Sequence, residues 1–542
     1  MAALPKNTIF VRKFLHLYNL KSVTMKQKSI ALIATLLLAS STAFSAEKAE
    51  VVIKTKQGTN IISRDIYGQF SEHLGNCIYG GIWVGENSSI PNINGYRKDL
   101  VEAIKRIHVP NLRWPGGCFA DEYHWRDGIG PRDKRPKMVN TNWGGVVEDN
   151  SFGTNEFLNF CELVGTEPYI SGNVGSGTVE EMSKWVEYMT FDGESPMANL
   201  RRQNGRDKPW KVKFWGVGNE NWGCGGNMSA EHYADVYKNF AIFCRDYGDN
   251  KLQKVACGAA GDDYNWTEVL MKNVGADKMW GLSLHQYTVP YGWNDPRGKG
   301  SATIFPEEEY FITLEKALFM DELITKHTAI MDKYDPQKKV AFSVDEWGAW
   351  YDVEPGTNKG FLYQQNTLRD ALLCATTLNI FHKHSDRVRM ANIAQMVNVL
   401  QSIILTKDDK ILLTPTYYVY DMYKVHQDAT NFPVEVLSPY YTQGTKSIPA
   451  INVSASKDAK GVIHVSLVNL DPKNDIVANC NIGNVPANSV TGQIITAKEV
   501  STHNTFESPN QVVLANFTGA KVKDGVLSLT IPAKSIITVA IN

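Results

Sequence analysis

The chain has 542 residues, a formal net charge of −1 and 43% hydrophobic residues. This length is too great for one hydrophobic core and suits a large domain joined to a smaller one. The near-zero net charge gives no electrostatic basis for binding nucleic acid or an anionic membrane. The composition is that of an ordinary globular protein, so function has to be found in local patterns.

The N-terminus has the pattern of an export signal. An apolar run, Ile30–Leu38, follows Lys28, and Ala43 and Ser45 have the small side chains that a signal peptidase requires. The run is shorter than the roughly 20 residues that cross a bilayer, so no membrane span is expected. The pattern predicts a periplasmic or extracellular protein after cleavage near Ser45, with Met1 or Met25 as the start.

From about residue 66 to 430, short apolar runs alternate with amphipathic helical patterns. Thr178 and Ser229 have the character of helix N-caps in this region. Eight alternating units predict a (β/α)8 TIM barrel; a doubly wound sheet is the alternative, but no G-x-G-x-x-G follows the first run. The eight runs are Ile66–Ser71, Asn111–Trp114, Pro168–Asn173, Val212–Gly218, Val255–Ala260, Leu282–Tyr287, Val340–Val344 and Ile393–Val399.

From residue 431 to 542 the pattern changes to alternating strands separated by turn residues. This pattern predicts an accessory antiparallel β-sandwich domain. The segment 46–65 also alternates, and we expect it to join the sandwich. The predicted strands are Ile451–Ala455, Val462–Val468, Val490–Ile495, Val512–Ala515 and Val526–Ile531.

Two glutamates come at the ends of predicted barrel strands. Glu220 ends the fourth run and Glu346 ends the seventh, and parallel barrels carry their catalytic groups at such ends. Two carboxylates that face one cavity are the requirement of glycosidic hydrolysis. A single strand-end glutamate is often only a solvated rim residue. The pair, together with Asn219 beside Glu220, therefore favours a glycosidase.

Other strand ends add polar side chains to the same mouth. They are Glu72 after the first run, Arg113 in the second, His285 and Tyr287 in the sixth and Gln395 in the eighth. Buried polar groups are costly unless they are paired. Each could be a structural hydrogen bond by itself, but together they indicate a polar site.

The chain resembles the α-L-arabinofuranosidases of glycoside hydrolase family 51. The resemblance implies a (β/α)8 barrel with a β-sandwich, no cofactor or metal, and retention of anomeric configuration. The matching motifs occur in family order: 68–75 GQFSEHLG, 112–117 LRWPGG, 215–220 WGVGNE, 285–287 HQY, 345–347 DEW with 350–351 WY, and 392–398 NIAQMVN.

The resemblance also implies roles for individual residues. It implies Glu220 as acid/base and Glu346 as nucleophile, with their carboxyl groups about 5–5.5 Å apart. It implies a sugar site that includes Glu72, Arg113, Asn219, His285, Tyr287, Trp350 and Gln395. Many relatives have Asn after the Pro-Gly-Gly turn where this chain has Cys118, which is a poorer hydrogen-bonding group. Cys118 is therefore only a candidate for the sugar site.

Eight cysteines are scattered without a C-x-x-C pair, so the sequence predicts no zinc site. Cys77, Cys118 and Cys224 follow the first, second and fourth runs, which places all three on the catalytic face. We expect Cys77 to pair with Cys118 if a disulfide forms; three free thiols are the alternative.

The expected activity is exo-release of single α-L-arabinofuranose units from arabinose-containing plant polysaccharides or oligosaccharides. An endo-acting β-glycanase could use the same carboxylate pair. A non-catalytic carbohydrate-binding protein is a further alternative, although both glutamates are present. No nucleic acid partner is expected, and a homo-oligomer is compatible with the family.

Overall fold

Eight parallel strands close into a barrel in the computed structural model, which describes residues 47–542 except 59, 486 and 488. The predicted export signal lies outside the described residues. Each strand pairs with the next along the chain, and the eighth pairs with the first, as in a (β/α)8 barrel. The strands are Gly68–Phe70, Asn111–Trp114, Glu167–Gly172, Phe214–Val217, Gln253–Ala260, Gly281–Thr288, Ala341–Ala349 and Val388–Ile393.

Two helices of the described region begin at the N-caps that the sequence indicated. The Thr178 hydroxyl accepts a hydrogen bond from the Glu181 amide, and the Ser229 hydroxyl accepts one from the His232 amide. Both predicted N-caps are confirmed. The α-helices are Lys98–Ile107, Thr154–Val164, Val179–Thr190, Pro196–Gln203, Ala230–Phe243, Tyr264–Asn273, Glu307–Tyr334, Leu368–Lys383 and Pro415–Tyr423.

The eighth barrel strand differs from the prediction. It spans Val388–Ile393, whereas the predicted run began at Ile393. Arg389 interrupts the apolar pattern, but its guanidinium reaches out of the barrel to the Lys339 carbonyl at 3.0 Å. Gln395 therefore lies in the loop that follows the strand, at the carboxyl end of the barrel, and not within the strand itself.

Two sheets lie beyond the barrel. The strands of one follow the order Val434–Leu437, Glu47–Ile53, Ile476–Asn481, Val526–Ile531 and Lys521–Lys523. Those of the other follow the order Thr430–Phe432, Ile451–Lys457, Ile463–Asn469, Ser535–Ile541, Val490–Thr496 and Ala515–Phe517.

The pairing in these sheets is antiparallel apart from Glu47–Ile53, which runs parallel to Ile476–Asn481. Four two-stranded sheets complete the described strands. Their members are Asn92–Ile93 with Tyr96–Arg97, Met138–Val139 with Val147–Glu148, Ile404–Lys407 with Lys410–Leu413, and Tyr440–Gln443 with Lys446–Pro449.

The C-terminal sheets contact the barrel through buried polar groups as well as apolar ones. The Nδ1 atom of His382 lies 2.8 Å from the Ser454 hydroxyl, and the Asn431 amide donates to the His382 carbonyl at 2.8 Å. The division into a barrel over 66–430 and a sandwich over 431–542 stays a prediction. Among the described residues, no helix is long and apolar enough to cross a membrane.

Candidate active site

The fourth barrel strand delivers Asn219 and Glu220 to the mouth of the barrel through a tight turn. Gly218 has φ +89°, and a Cβ at this position would meet the Asn221 side chain at 2.1 Å. Glu220 itself has φ +42°, which is uncommon for a residue with a side chain. Strained backbone of this kind is typical of functional turns, where it aims a side chain into a site.

The seventh strand places Glu346 beside His285 of the sixth, because the two residues are direct partners in the strand register. The Glu346 carboxylate receives two strong donors. Arg113 Nη1 donates to Oε1 at 2.7 Å, and the Tyr287 hydroxyl donates to Oε2 at 2.8 Å. Two donors from different strands therefore hold the Glu346 carboxylate in a fixed orientation.

His285 lies between the two glutamates. Its Nδ1 is 2.8 Å from Glu220 Oε1 and 3.5 Å from Glu346 Oε2, and its Nε2 is 3.2 Å from Asp345 Oδ1. Burial alone would lower the pKa of His285. The surrounding carboxylates outweigh burial and raise the pKa to about 10. The imidazole is therefore a cation at neutral pH.

Glu220 has a different environment from Glu346. Its Oε2 faces the sulfur atoms of Cys224 and Cys118, at 3.4 Å and 3.8 Å, and not an N–H or O–H donor. Burial and repulsion from Glu346 raise the pKa of Glu220 above its usual range, although His285 opposes the shift. Its side chain is 18% exposed, against 6% for Glu346, so it also lies nearer to solvent.

Buried charged groups surround Glu220. Arg113 and His285 are two buried cations, and Asp345 and Glu346 supply two negative charges. Arg113 and His285 overcome burial and lower the pKa of Asp345. For Glu220, burial and the nearby Glu346 outweigh the same two cations, so its pKa is raised, which favours the protonated form.

The separation of the glutamates fits retention. One carboxylate oxygen of Glu220 and one of Glu346 lie within 4.8 Å of each other. Inverting enzymes need about 6.5–9.5 Å between the carboxyl groups so that a water molecule fits, whereas retaining enzymes need about 5–5.5 Å. The short separation leaves space for direct attack by one carboxylate.

Glu72 is a further buried carboxyl group close to Glu346. Its Oε1 accepts from the Trp143 indole at 2.9 Å, and its Oε2 accepts from the Gln395 amide at 3.0 Å. Burial and the charge of Glu346 raise the pKa of Glu72 to about 7. A Cβ at Gly117 would lie 3.0 Å from Glu72 and 3.3 Å from Glu346, so only glycine fits between them without displacement.

Asn219 is fixed through its side chain and its backbone. Its Oδ1 accepts from Arg113 Nη2 at 2.5 Å, and its backbone amide donates to Asp121 at 3.1 Å. Asp121 also accepts from the amides of Val174 and Gly175, both at 2.7 Å. It thereby ties the loops after the second, third and fourth strands together.

Aromatic rings form one wall of the cavity, whose volume is about 640 Å³. Trp350 packs edge-to-face against Tyr287 and Trp293, with centroid distances of 5.0 Å in each case. Trp222 and Trp143 also line the cavity. Such rings offer apolar faces to the C–H surfaces of a sugar.

The predicted disulfide is wrong in its partner. Cys118 is bonded to Cys224, with a Cα–Cα distance of 5.5 Å, while Cys77 is a buried free thiol. The loops after the second and fourth strands bring Cys118 and Cys224 together at the cavity, whereas Cys77 packs in the core. As part of a disulfide, Cys118 has no S–H to donate to a sugar.

Two overlapping groups in the described part of the chain have the residue types of a metal site. One is Glu220, His285 and Glu346, and the other is Cys118, Glu220 and Cys224. The members of the first already contact one another, which accounts for their closeness without an ion.

A second groove, of about 700 Å³, lies between the helix Leu368–Lys383 and the strand Ile451–Lys457. Its charged lining residues are Asp321 and Lys383, which form an ion pair at 2.7 Å. The groove thus contains a single carboxylate, which is paired with a lysine, and glycosidic hydrolysis needs two carboxylates.

The structure brings all ten sequence-predicted site residues to one mouth. The sequence indicated no role for three further residues whose side chains contact the predicted site residues, namely Asp345, Asp121 and Trp143. Asp345 belongs to the DEW motif, so its position next to Glu346 could have indicated its contact with the site. Trp143 lies in a long loop whose sequence pattern gives no sign of its contact with Glu72.

The comparisons with known proteins agree on one family. Two family models match, namely the α-L-arabinofuranosidase 1 domain over residues 103–295 and the α-L-arabinofuranosidase C-terminal domain over residues 345–535. An "intracellular exo-alpha-L-arabinofuranosidase" of Bacteroides ovatus is 56% identical over 95% of this chain and 100% of its own length.

Solved structures give the same result. A GH51 arabinofuranosidase from Xanthomonas axonopodis pv. citri has 52% identity and a TM-score of 0.90, covering 91% of this chain and 100% of that one. An α-L-arabinofuranosidase from Thermotoga maritima, solved as an arabinose complex, has 32% identity, a TM-score of 0.80 and the same coverage.

The comparisons also correct one prediction. The Bacteroides relative that matches nearly the whole chain is described as intracellular. The prediction of an exported protein with a cleaved signal is therefore wrong. The lysines and apolar run near the N-terminus meet the compositional pattern of a signal, but a short apolar segment after basic residues is not specific to export.

Proposed function

We propose that this chain, which belongs to the α-L-arabinofuranosidases of glycoside hydrolase family 51, uses Glu346 as nucleophile and Glu220 as acid and base. The chain is an exo-acting, retaining glycosidase that releases α-L-arabinofuranose. The observation that supports the two roles is the difference between the carboxylates. Glu346 accepts from Arg113 and Tyr287, while Glu220 Oε2 contacts sulfur.

The first step forms a covalent intermediate. Glu346 attacks the anomeric carbon as the bond to the leaving oxygen breaks, and Glu220 gives its proton to that oxygen. In the second step, Glu220 takes a proton from water as the water attacks the same carbon and Glu346 departs. Two inversions give net retention, and the cycle restores the proton on Glu220.

We propose that the sugar is held by Glu72, Arg113, Asn219, His285, Tyr287, Trp350 and Gln395. Gln395 Oε1 and Arg113 Nε are buried without a hydrogen-bond partner among the described residues. Unsatisfied buried polar atoms cost about 1–3 kcal/mol each, so a sugar hydroxyl that satisfies Gln395 would contribute to binding. A single small polyol fits such a set of converging polar groups. The natural substrate class is arabinose-containing plant polysaccharide or oligosaccharide.

The assigned roles are tested by varying the leaving group. Glu346→Ala should abolish turnover of every aryl α-L-arabinofuranoside. Glu220→Ala should lower kcat/KM by about 100-fold or more for poor leaving groups and far less for activated ones, because only the former need protonation. Azide should restore turnover of Glu220→Ala and give a glycosyl azide with the configuration of the substrate. Equal losses for every leaving group in both variants would refute the assignment.

The substrate is tested with a panel of glycosides. Initial rates on aryl α-L-arabinofuranoside should greatly exceed those on aryl β-D-xylopyranoside and β-D-glucopyranoside, because a wrong ring leaves several polar groups unpaired. A soluble β-glucan should not be cut internally. Faster hydrolysis of the glucan would support an endo-glycanase instead, and sugar binding without any turnover would indicate a non-catalytic protein.

A further inference from the structure

The disulfide lies at the entrance to the catalytic cavity and is accessible. Cys118 is half-buried and lines the cavity, while Cys224 is exposed. The bond joins the loops that follow the second and fourth barrel strands, 106 residues apart in sequence. A small reductant can therefore reach this bond from the same side as the substrate.

Both sulfur atoms face the same oxygen of the proposed acid. Sγ of Cys224 is 3.4 Å from Glu220 Oε2, and Sγ of Cys118 is 3.8 Å from it. In a tetrahedral zinc site, bonds of about 2.3 Å to sulfur and about 2.1 Å to oxygen place these atoms about 3.6 Å apart. Two edges of the coordination tetrahedron are thus already present.

The third edge joins the two sulfurs, which are covalently bonded here. Two thiolates on one zinc ion lie about 3.8 Å apart. The Cα atoms are 5.5 Å apart, so rotation of the two side chains after reduction is enough to open this edge. No movement of the barrel strands is required.

The other carboxylate oxygen of Glu220 is held by a hydrogen-bonding group, as is usual for a carboxylate that binds a metal. Its Oε1 is 2.8 Å from His285 Nδ1, which fixes the orientation of the carboxylate while Oε2 remains directed at the sulfurs. Ligating carboxylates are normally held in this way by a second hydrogen-bonding group. Three protein ligands leave the fourth position open to water from the cavity.

We propose that reduction converts Cys118, Cys224 and Glu220 into a binding site for a thiophilic divalent cation such as Zn²⁺, which silences the enzyme. A dithiol reductant gives two electrons and two protons to the disulfide and is itself oxidised to a cyclic disulfide. The cation then displaces both thiol protons and binds two thiolates and Glu220 Oε2. Glu220 cannot protonate a leaving group while it is a ligand, a consequence that rests on the proposed function.

The site is tested on the full chain with cobalt and zinc. The enzyme is reduced with a phosphine, freed of it without oxygen, and titrated with Co²⁺. One equivalent should produce the intense thiolate-to-cobalt charge-transfer absorption, which one equivalent of Zn²⁺ should remove. The oxidised enzyme should show no such band. Absence of the band from reduced, folded enzyme would overturn the proposal.

Variants identify the ligands. Cys118→Ser and Cys224→Ser should each lose most of the band, whereas Cys77→Ala, which removes a buried thiol outside the site, should keep it. Glu220→Gln should keep a thiolate band but bind zinc more weakly. A band that persists when Cys118 and Cys224 are both replaced would show that the metal binds elsewhere.

Kinetics distinguish failure of the metal site from failure of the catalytic assignment. One equivalent of Zn²⁺ should lower kcat/KM of the reduced enzyme by about 100-fold on a poor leaving group and much less on an activated one, and a chelator should reverse the effect. A normal cobalt band without dependence on the leaving group would retain the metal site and refute the role of Glu220.

Discussion

Replacement of His285 by glutamine tests whether the imidazolium controls the acid. Nδ1 of His285 lies 2.8 Å from Glu220 Oε1, and the pKa of the imidazole is raised to about 10 by the nearby carboxylates. His285→Gln keeps a hydrogen-bond donor and removes the positive charge. The charge favours the carboxylate form of Glu220, so its loss should raise the pKa of Glu220.

The size of the shift follows from the contact. A hydrogen bond from a charged donor contributes about 1.5–3 kcal/mol and one from a neutral donor about 0.5–1.5 kcal/mol, so the exchange loses about 1–1.5 kcal/mol. Since 1.36 kcal/mol corresponds to about one pKa unit, the pKa of Glu220 should rise by about 1 unit in His285→Gln. Because Glu220 must be protonated for the first step, the basic limb of the kcat/KM profile should move to higher pH by the same amount.

The assay is the pH dependence of kcat/KM on an aryl α-L-arabinofuranoside with a poor leaving group, since kcat/KM reports the free enzyme. Glu220→Ala, assayed on an activated substrate, is the control and should lack the basic limb. A basic limb that stays in place in His285→Gln, or moves to lower pH, would refute the electrostatic link between the two residues.

Two further predictions concern stability. Asp345→Asn should lower the free energy of unfolding in a urea titration by about 3–5 kcal/mol, because it leaves Arg113 and His285 with one counter-charge fewer. The control Asp321→Asn, in a half-exposed ion pair, should lower it by about 1 kcal/mol or less. Burial lowers the pKa of His382 to about 3. Below about pH 6.5 the unfolded chain therefore binds a proton at this residue that the native protein does not bind. His382 alone then lowers the free energy of unfolding by about 1.36 kcal/mol for each pH unit of acidification. His382→Gln should reduce this slope between about pH 6 and 4; equal slopes would show that His382 titrates alike in both states.

The barrel, and the approach of Glu220 to Glu346 at its mouth, were predictable because strand ends carry a local signal. Glu220 lies three residues after Phe214–Val217, and Glu346 lies in the carboxyl-terminal half of Ala341–Ala349. A parallel barrel brings these ends of its strands to one mouth. The eighth strand was misplaced because Arg389 lies on its outer side and interrupts the pattern. An apolar run alone does not distinguish a buried strand from the buried loop that follows it.

Local pattern led us to expect segment 46–65 beside the C-terminal strands, but it could not give the order in which the strands pair. Glu47–Ile53 lies between Val434–Leu437 and Ile476–Asn481, the second in parallel, and neither neighbour is close to it in sequence. The Cys118–Cys224 bond depends likewise on the relative position of two long loops. Strand order and loop approach are properties of the packed molecule, so spacing between cysteines does not determine them.

Under the roles that we propose, the two glutamates need different physical environments because they take different parts in the reaction. Glu346 must form and break a covalent bond with a constant orientation, and donors from Arg113 and Tyr287 on separate strands hold it. Glu220 must lose and regain a proton in every cycle, so strong donors on both of its oxygens would oppose the step that restores the proton. One charged contact to Oε1, with sulfur beside Oε2, leaves that proton transfer possible. The same weakly held oxygen is the one that a metal ion would take, so the property that suits Glu220 to acid–base chemistry also exposes it to inhibition.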